Sequence, residues 1–211
     1  MILSPEERKH QTESILKEKN IPFIDWLPLT EAEGNVELRN INDIAKRILC
    51  LFCLAGTAFE KDDVSFIEYL KTYNLWESLS KEEKLFLSNP TYDTQAQLNA
   101  TWRLEALYVL VWAVGLVPEL PFPTEQASVT EFIDTLPKSD ESPERFIKSL
   151  KLRPLPEIMD ASDLIYRLHW AVRNHGSNLD LDGSVIQERH HAINWLTNYD
   201  GEKWDWVATD T

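Results

Sequence analysis

The residue types that could do chemistry gather in the last third of the chain, where Glu188-Arg189-His190-His191 follows a segment carrying His169 and Arg173. A guanidinium can hold an anionic group through parallel N–H donors, an imidazole can give or take a proton near neutral pH, and a carboxylate can orient either one. Arg103 and Glu105, in mid-chain, are the other charged residues that interrupt an apolar run. Combined, Arg103, Arg173 or Arg189 would bind an anion, His169 or His191 would serve as acid or base, and Glu188 would orient. Each member also has a bland role. Arg103 and Glu105 suit a structural ion-pair network, Arg189 suits a core carboxylate that fixes helix register, and buried histidines are often simply satisfied by hydrogen bonds.

Other constellations are incomplete. Glu188-x-x-His191 has the spacing of carboxylate-bridged metal sites in helical bundles, but those need a second copy and further carboxylates, so no metal is expected. Cys50 and Cys53 form C-x-x-C within Ile48-Leu-Cys-Leu-Phe-Cys-Leu-Ala55, with no second pair to complete a zinc site. They read as two reduced core thiols, which suits a reducing cytoplasm. Asn178-Leu-Asp-Leu-Asp-Gly183 looks like a fragment of a calcium loop but lacks the twelve-residue ligand pattern, so it is expected to be a turn entering a helix. Glycine-rich phosphate loops, H-E-x-x-H and G-x-S-x-G do not occur, and no cofactor is implied.

The elements that must position these residues read as helices. Ser4-Pro-Glu-Glu7 combines an N-cap, a first-turn proline and a capping-box glutamate, and predicts a helix to about Asn20. Residues 21–40 hold Pro22, Pro28 and Gly34 without a period and predict an ordered loop anchored by Phe23, Trp26 and Leu27. Asn40 caps a helix to about Phe59; Asp62 opens another over Val64–Tyr73; Ser80-Lys-Glu-Glu83 is a second capping box, for a helix ending before Pro90. The segment 94–114 is apolar on every side after Ala106, which a helix can be only when protein surrounds it. Gly115 is its natural stop.

Beyond a proline-rich connector at 117–124, short helices are expected at 129–136 and 145–150, and two longer ones at 156–174 and 184–198. On the last helix Arg189 falls within the apolar face of Val185, Ala192, Ile193 and Leu196, while Glu188, His191 and Trp195 form a ridge. On the one before, Tyr166, His169 and Arg173 form one polar ridge and Asp163, Arg167, Trp170 and Asn174 another. The expected fold is therefore all-α: one domain over 1–211, of about eight or nine helices around the buried 94–114 helix. Its one weak internal boundary is at 117–127. A polar cluster of Arg103, Glu105, Asp163, Arg167, His169, Arg173, Glu188, Arg189 and His191 is expected between the central helix and the two C-terminal ones.

Composition narrows the partners. The 211 residues carry 21 Lys and Arg against 35 Asp and Glu, a formal charge of −14. Such a surface repels phosphate backbones and anionic lipid, so neither nucleic acid nor a membrane is an expected partner. The longest apolar runs fall short of the ~18–20 residues that cross a bilayer, and the charged N-terminus shows no export signal. A cytoplasmic location is expected.

Three stretches also look familiar: Asp163-Leu-Ile-Tyr-Arg-Leu-His-Trp-Ala-Val-Arg173, Val185-Ile-Gln-Glu-Arg-His-His-Ala-Ile-Asn-Trp-Leu196 and Trp204-Asp-Trp-Val-Ala-Thr-Asp-Thr211. With Trp102-Arg-Leu-Glu-Ala-Leu107, Trp112-Ala-Val-Gly115, Glu119-Leu-Pro121 and Ile44-Ala-Lys-Arg47, they resemble a bacterial family known as domain of unknown function 4272. The resemblance covers most of the chain from about residue 10. It implies a cytoplasmic, largely helical protein and no activity, cofactor or catalytic residue.

Two functions compete. The acidity and the surplus of Trp suit a non-catalytic module that binds a basic protein or peptide. The alternative is a small-molecule enzyme or sensor that takes an anionic ligand at Arg103, Glu105, His169, Arg173, Glu188, Arg189 and His191.

Overall fold

The helices begin where side chains can satisfy their open N–H groups. Ser4 accepts from the Glu7 amide at 3.2 Å while the Glu7 carboxylate accepts from the Ser4 amide at 2.8 Å. Ser80 and Glu83 repeat this reciprocal arrangement, and the Asn40 side chain accepts from the Asp43 amide. The computed structural model describes residues 3–60, 64–89 and 94–211, apart from the side chain of Ser177. Among them are eight α-helices and no strand: α1 Pro5–Glu18, α2 Ile41–Phe59, α3 Ser65–Thr72, α4 Lys81–Ser88, α5 Thr94–Ala113, α6 Glu144–Ser149, α7 Leu155–His175 and α8 Gly183–Leu196. Asp62, the expected opening of α3, and Pro90, the expected stop of α4, lie outside the described residues.

Every residue from Glu105 to Ala113 is buried, so α5 is the axis the sequence predicts. Helix α2 covers one side of it and α8 another. The backbone leaves the helix at Gly115 with φ +76°, a conformation that costs a residue without Cβ little. Helix α8 also packs on α7, whereas α5 and α7 scarcely meet. A smaller apolar core of Leu16, Ile21, Leu168, Ala171 and Ile186 joins α1, α7 and α8. Cys50 and Cys53 are free, buried thiols of the main core, and burial pushes the Cys50 thiol up to about 12.

Two local expectations need correction. The 129–136 segment forms two 3-10 turns, Val129–Glu131 and Ile133–Thr135, in place of a helix. Phe132 between them leaves helical geometry at φ −133° and is buried edge-on against Tyr108. In the 21–40 loop, Leu27 is buried and Phe23 packs on the smaller core, but Trp26 does not anchor: it is 79% exposed. With Leu27 turned inward, its neighbour is turned out.

Buried arginines hold the loops to the helices. Arg8, Arg167 and Arg189 are each 1% exposed, and an unpaired charge at that depth would be prohibitive. Arg8 meets Glu33 of the N-terminal loop and Asp160 of α7. Arg167 pairs with Asp163 at 2.9 and 3.0 Å and donates to the Pro28 carbonyl, while Thr30 donates to Asp163. Arg47 lies 2.8 Å from both oxygens of Glu83 and donates to the Ser78 carbonyl. Arg189 pairs with the fully buried Glu105 at 3.0 Å and donates to the Pro121 carbonyl; Glu105 in turn accepts from the Ala127 amide at 2.6 Å. Arg153 adds bonds to the Val117 and Pro118 carbonyls, so the proline-rich connector is held near both ends.

Removing one member of such a pair strands the other. Glu105→Ala should destabilise the fold by ~3–5 kcal/mol in urea titrations and expose 117–127 to limited proteolysis. The double variant Glu105→Leu with Arg189→Met, which strands no charge, should lose less stability than Glu105→Ala while the connector is still cut. Equal losses in the two variants would show that a stranded charge is not the source of the cost, and an uncut connector in both would show that the buried pair is not what secures this region.

Candidate functional site

Successive residues of a helix point about 100° apart, so the run Glu188 to His191 is dealt to different neighbours. Glu188 meets Arg103 of α5 at 3.0 Å, half-buried, and Arg189 meets Glu105 on the same side. Burial raises the Glu188 carboxyl, an effect that Arg103 opposes. His190 points to α7, where its Nδ1 lies 2.7 Å from Nδ1 of His169. His191 packs edge-on against Trp204 at 4.6 Å between centroids; burial and the nearby Arg103 and Arg47 lower its ring to about 4. Arg173 is exposed near the end of α7. The expected single cluster is thus divided: Arg103, Glu105, Glu188 and Arg189 form two ion pairs on the α5 side of α8, Asp163 and Arg167 pair with each other within α7, and His169 meets His190, which was not among the expected members.

That partner makes the histidines the unusual feature. His169 and His190 are 4% and 2% exposed, and burial lowers them to about 4 and about 3, helped by Arg173 on His169 and by the neighbouring rings on His190. Both are neutral near pH 7. An Nδ1 to Nδ1 contact between neutral imidazoles requires one ring to donate its Nδ1–H to the bare Nδ1 of the other. The donor ring then has a bare Nε2 and the acceptor ring an Nε2–H. The two outer nitrogens therefore always carry opposite states.

Each ring borders a different hollow. His190 lines a groove of about 610 Å³ bounded by the 26–36 loop, α7, α8 and the C-terminal segment. Trp26, Tyr166, Trp170 and Tyr199 supply aromatic walls, Ser162, Asn174 and Asn194 supply neutral polar groups, and Glu31 and Asp210 are exposed at the rim. Among the described residues no Lys or Arg lines it. Burial raises the Tyr199 hydroxyl, and Asp200, Glu31 and Asp210 push it in the same direction, which places negative potential at this mouth. His169 lines a second, more open hollow of about 410 Å³ with Arg173 and Gln187, between the end of α7 and the start of α8.

The groove was missed for identifiable reasons. Trp26 and Asp210 come from irregular segments, where helical spacing says nothing. A signal did exist in α8: Ile186, His190, Asn194 and Thr197 lie along one ridge at steps of four, four and three, and the last three are polar yet buried. Among the described residues no three His, Cys, Asp or Glu side chains gather as a metal ion would require.

The sign of the histidine contribution to stability is fixed. Neutral burial lowers these rings below their ordinary value of about 6.5, so the unfolded chain takes up protons first as pH falls. Stability should be complete above about pH 6.5 and decline from there towards pH 4 in thermal melts. His169→Gln should flatten that decline. An unchanged slope in this variant would show that the pair does not titrate as a buried neutral unit.

Neither the curated proteins nor the solved structures provide a match to this chain. A family model does: the one described as "Domain of unknown function (DUF4272)" matches residues 8–207, which include α2 to α8 and both hollows as far as Tyr199. On that coverage the chain belongs to the DUF4272 family.

Proposed function

We propose that this protein is a non-catalytic binding module for a basic protein or peptide, and that a lysine or arginine side chain of the partner seats in the groove beside His190. The observation that carries this reading is the lining: four aromatic side chains and two rim carboxylates with no cation among them. Aromatic faces attract cations through the ring quadrupole, most strongly when water is excluded. The volume lies within the range of ordinary ligand sites. A chain of formal charge −14 would steer a basic partner to it over long range.

An anionic ligand at the Arg103 and Arg189 positions has less support, because Glu188 and Glu105 already occupy those guanidinium groups. Arg173 and His169 are the members of that set left facing a hollow. A cytoplasmic location remains part of the proposal. Among the described residues no helix is long and apolar enough to cross a membrane.

Calorimetric titration with a short arginine-rich peptide should show binding that weakens as salt rises from low to physiological strength, while an acidic peptide of equal length does not bind. Trp26→Ala, at an exposed rim position, should weaken the arginine peptide by about two- to thirtyfold, as the loss of one cation–π contact implies. Affinity unmoved by both Trp26→Ala and salt would remove the groove from consideration.

A further inference from the structure

We propose that the groove and the second hollow bind cooperatively, a cation bearing N–H donors in the first and an anion in the second, because the two sites read opposite ends of the proton shared by His169 and His190. This inference rests on the groove being a cation site.

The coupling follows from the contact at 2.7 Å. A guanidinium or ammonium in the groove offers N–H donors, and His190 can accept one only with Nε2 bare. His190 must then carry its proton on Nδ1 and donate it to His169. His169, accepting at Nδ1, holds its own proton on Nε2, at the wall of the second hollow. His169 and the exposed Arg173 both line that hollow, and an imidazole N–H together with a guanidinium is a pair of donors suited to a phosphate or carboxylate group. In the opposite arrangement His190 presents Nε2–H to the cation and His169 presents a bare nitrogen to the anion, and both ligands are disfavoured.

The exchange between the two arrangements balances without any change in net charge. Nε2 of His190 releases its proton to water in the groove, the shared proton moves from Nδ1 of His169 to Nδ1 of His190, and Nε2 of His169 takes a proton from water in the second hollow. The charged and titratable groups around the pair are Arg173 and Tyr166 on α7, His191 on α8, and Glu31, Tyr199 and Asp210 around the groove. None has to titrate for the coupling to operate.

Coupling of this kind is reciprocal, and its size is set by how often the unliganded pair already holds the competent arrangement. With the two arrangements equally populated the gain is about twofold, and it grows as the resting balance moves to the incompetent one. The full-length protein is titrated with methylguanidinium at constant ionic strength, with inorganic phosphate replacing chloride in one series. Phosphate should tighten methylguanidinium by about twofold or more, the reverse of simple screening. Tetramethylammonium, which can occupy an aromatic groove but has no N–H, should gain nothing from phosphate. Nitrogen-15 spectra of the imidazoles should show Nε2 of His190 becoming bare and Nε2 of His169 becoming protonated as either ligand is added.

Arg173→Ala should abolish the phosphate effect, and so should His169→Gln in a variant whose circular dichroism matches the parent. Methylguanidinium that binds equally with and without phosphate, with unchanged nitrogen shifts, overturns the coupling and leaves the cation groove standing. If neither cation binds, the groove reading fails. The shared-proton mechanism then survives only if phosphate alone shifts the His190 tautomer, and it falls if phosphate does not.

Discussion

A guanidinium cannot be left bare in a protein interior, and this chain buries several of them. One carboxylate neutralises the charge but does not use all five N–H donors, so a buried arginine must find further acceptors. Arg47, Arg167 and Arg189 find them on loop carbonyls, at Ser78, Pro28 and Pro121, and Arg8 reaches Glu33 in the same N-terminal loop that Arg167 holds. The helices alone, packed through α2, α5 and α8, would leave long connections free. The requirement to satisfy arginine brings those connections down onto the helices. It also positions the 26–36 loop, one whole wall of the groove, since Arg167 holds it at Pro28 and Arg8 at Glu33.

Much of this was legible in the sequence where short-range rules apply. The capping boxes at Ser4 and Ser80, the all-round apolarity after Ala106 and the αL position at Gly115 are each decided within a few residues, and α1, α4 and α5 follow. Arg189 on an apolar face announced a buried carboxylate, and Glu105 is that carboxylate. What could not be read was which side of α8 each polar residue would face relative to α5 and α7, because that depends on how three helices are arranged in space. One expected cluster therefore became three ion pairs and a histidine dyad. Trp26 was misjudged for a related reason: aromatic content says that a loop will dock but not which ring docks, and Leu27 took the inward position.

Helix α8 serves as a partition between scaffold and chemistry. Its side towards α5 carries charges that cancel one another, with Arg189 fully enclosed, so that side has little left to offer a ligand. Its side towards α7 carries His190, Asn194 and Thr197, groups that are buried but uncharged and that line an open groove. The division is physically reasonable. Ionised pairs tolerate burial only when closed off by mutual hydrogen bonds, whereas neutral polar groups can border a cavity and still exchange partners with water or a ligand. Changes on the α5 side of α8 should therefore be felt as stability, and, on the proposed reading, changes on the α7 side as binding.

The net acidity of the chain makes the neutrality of the dyad more informative. Even in a chain of formal charge −14, burial lowers both rings, with Arg173 adding to the effect on His169 and the neighbouring histidines on His190. The groove sets the exposed carboxylates of Glu31 and Asp210 and the exposed rings of Trp26 and Tyr199 outside the half-buried Tyr166 and Trp170, with the buried, uncharged His190 imidazole at its floor. On the proposed reading, a small inorganic cation would gain from the carboxylates and the ring faces but would bring no N–H to the imidazole. A long cationic side chain can satisfy all three, with its apolar stem against the rings and its N–H groups reaching a bare imidazole nitrogen. A charged floor would forfeit that last contact, because imidazolium repels a cation and has no lone pair to offer. On the proposed reading, a neutral dyad inside a protein this acidic would let the imidazole contact, and not charge alone, select the ligand.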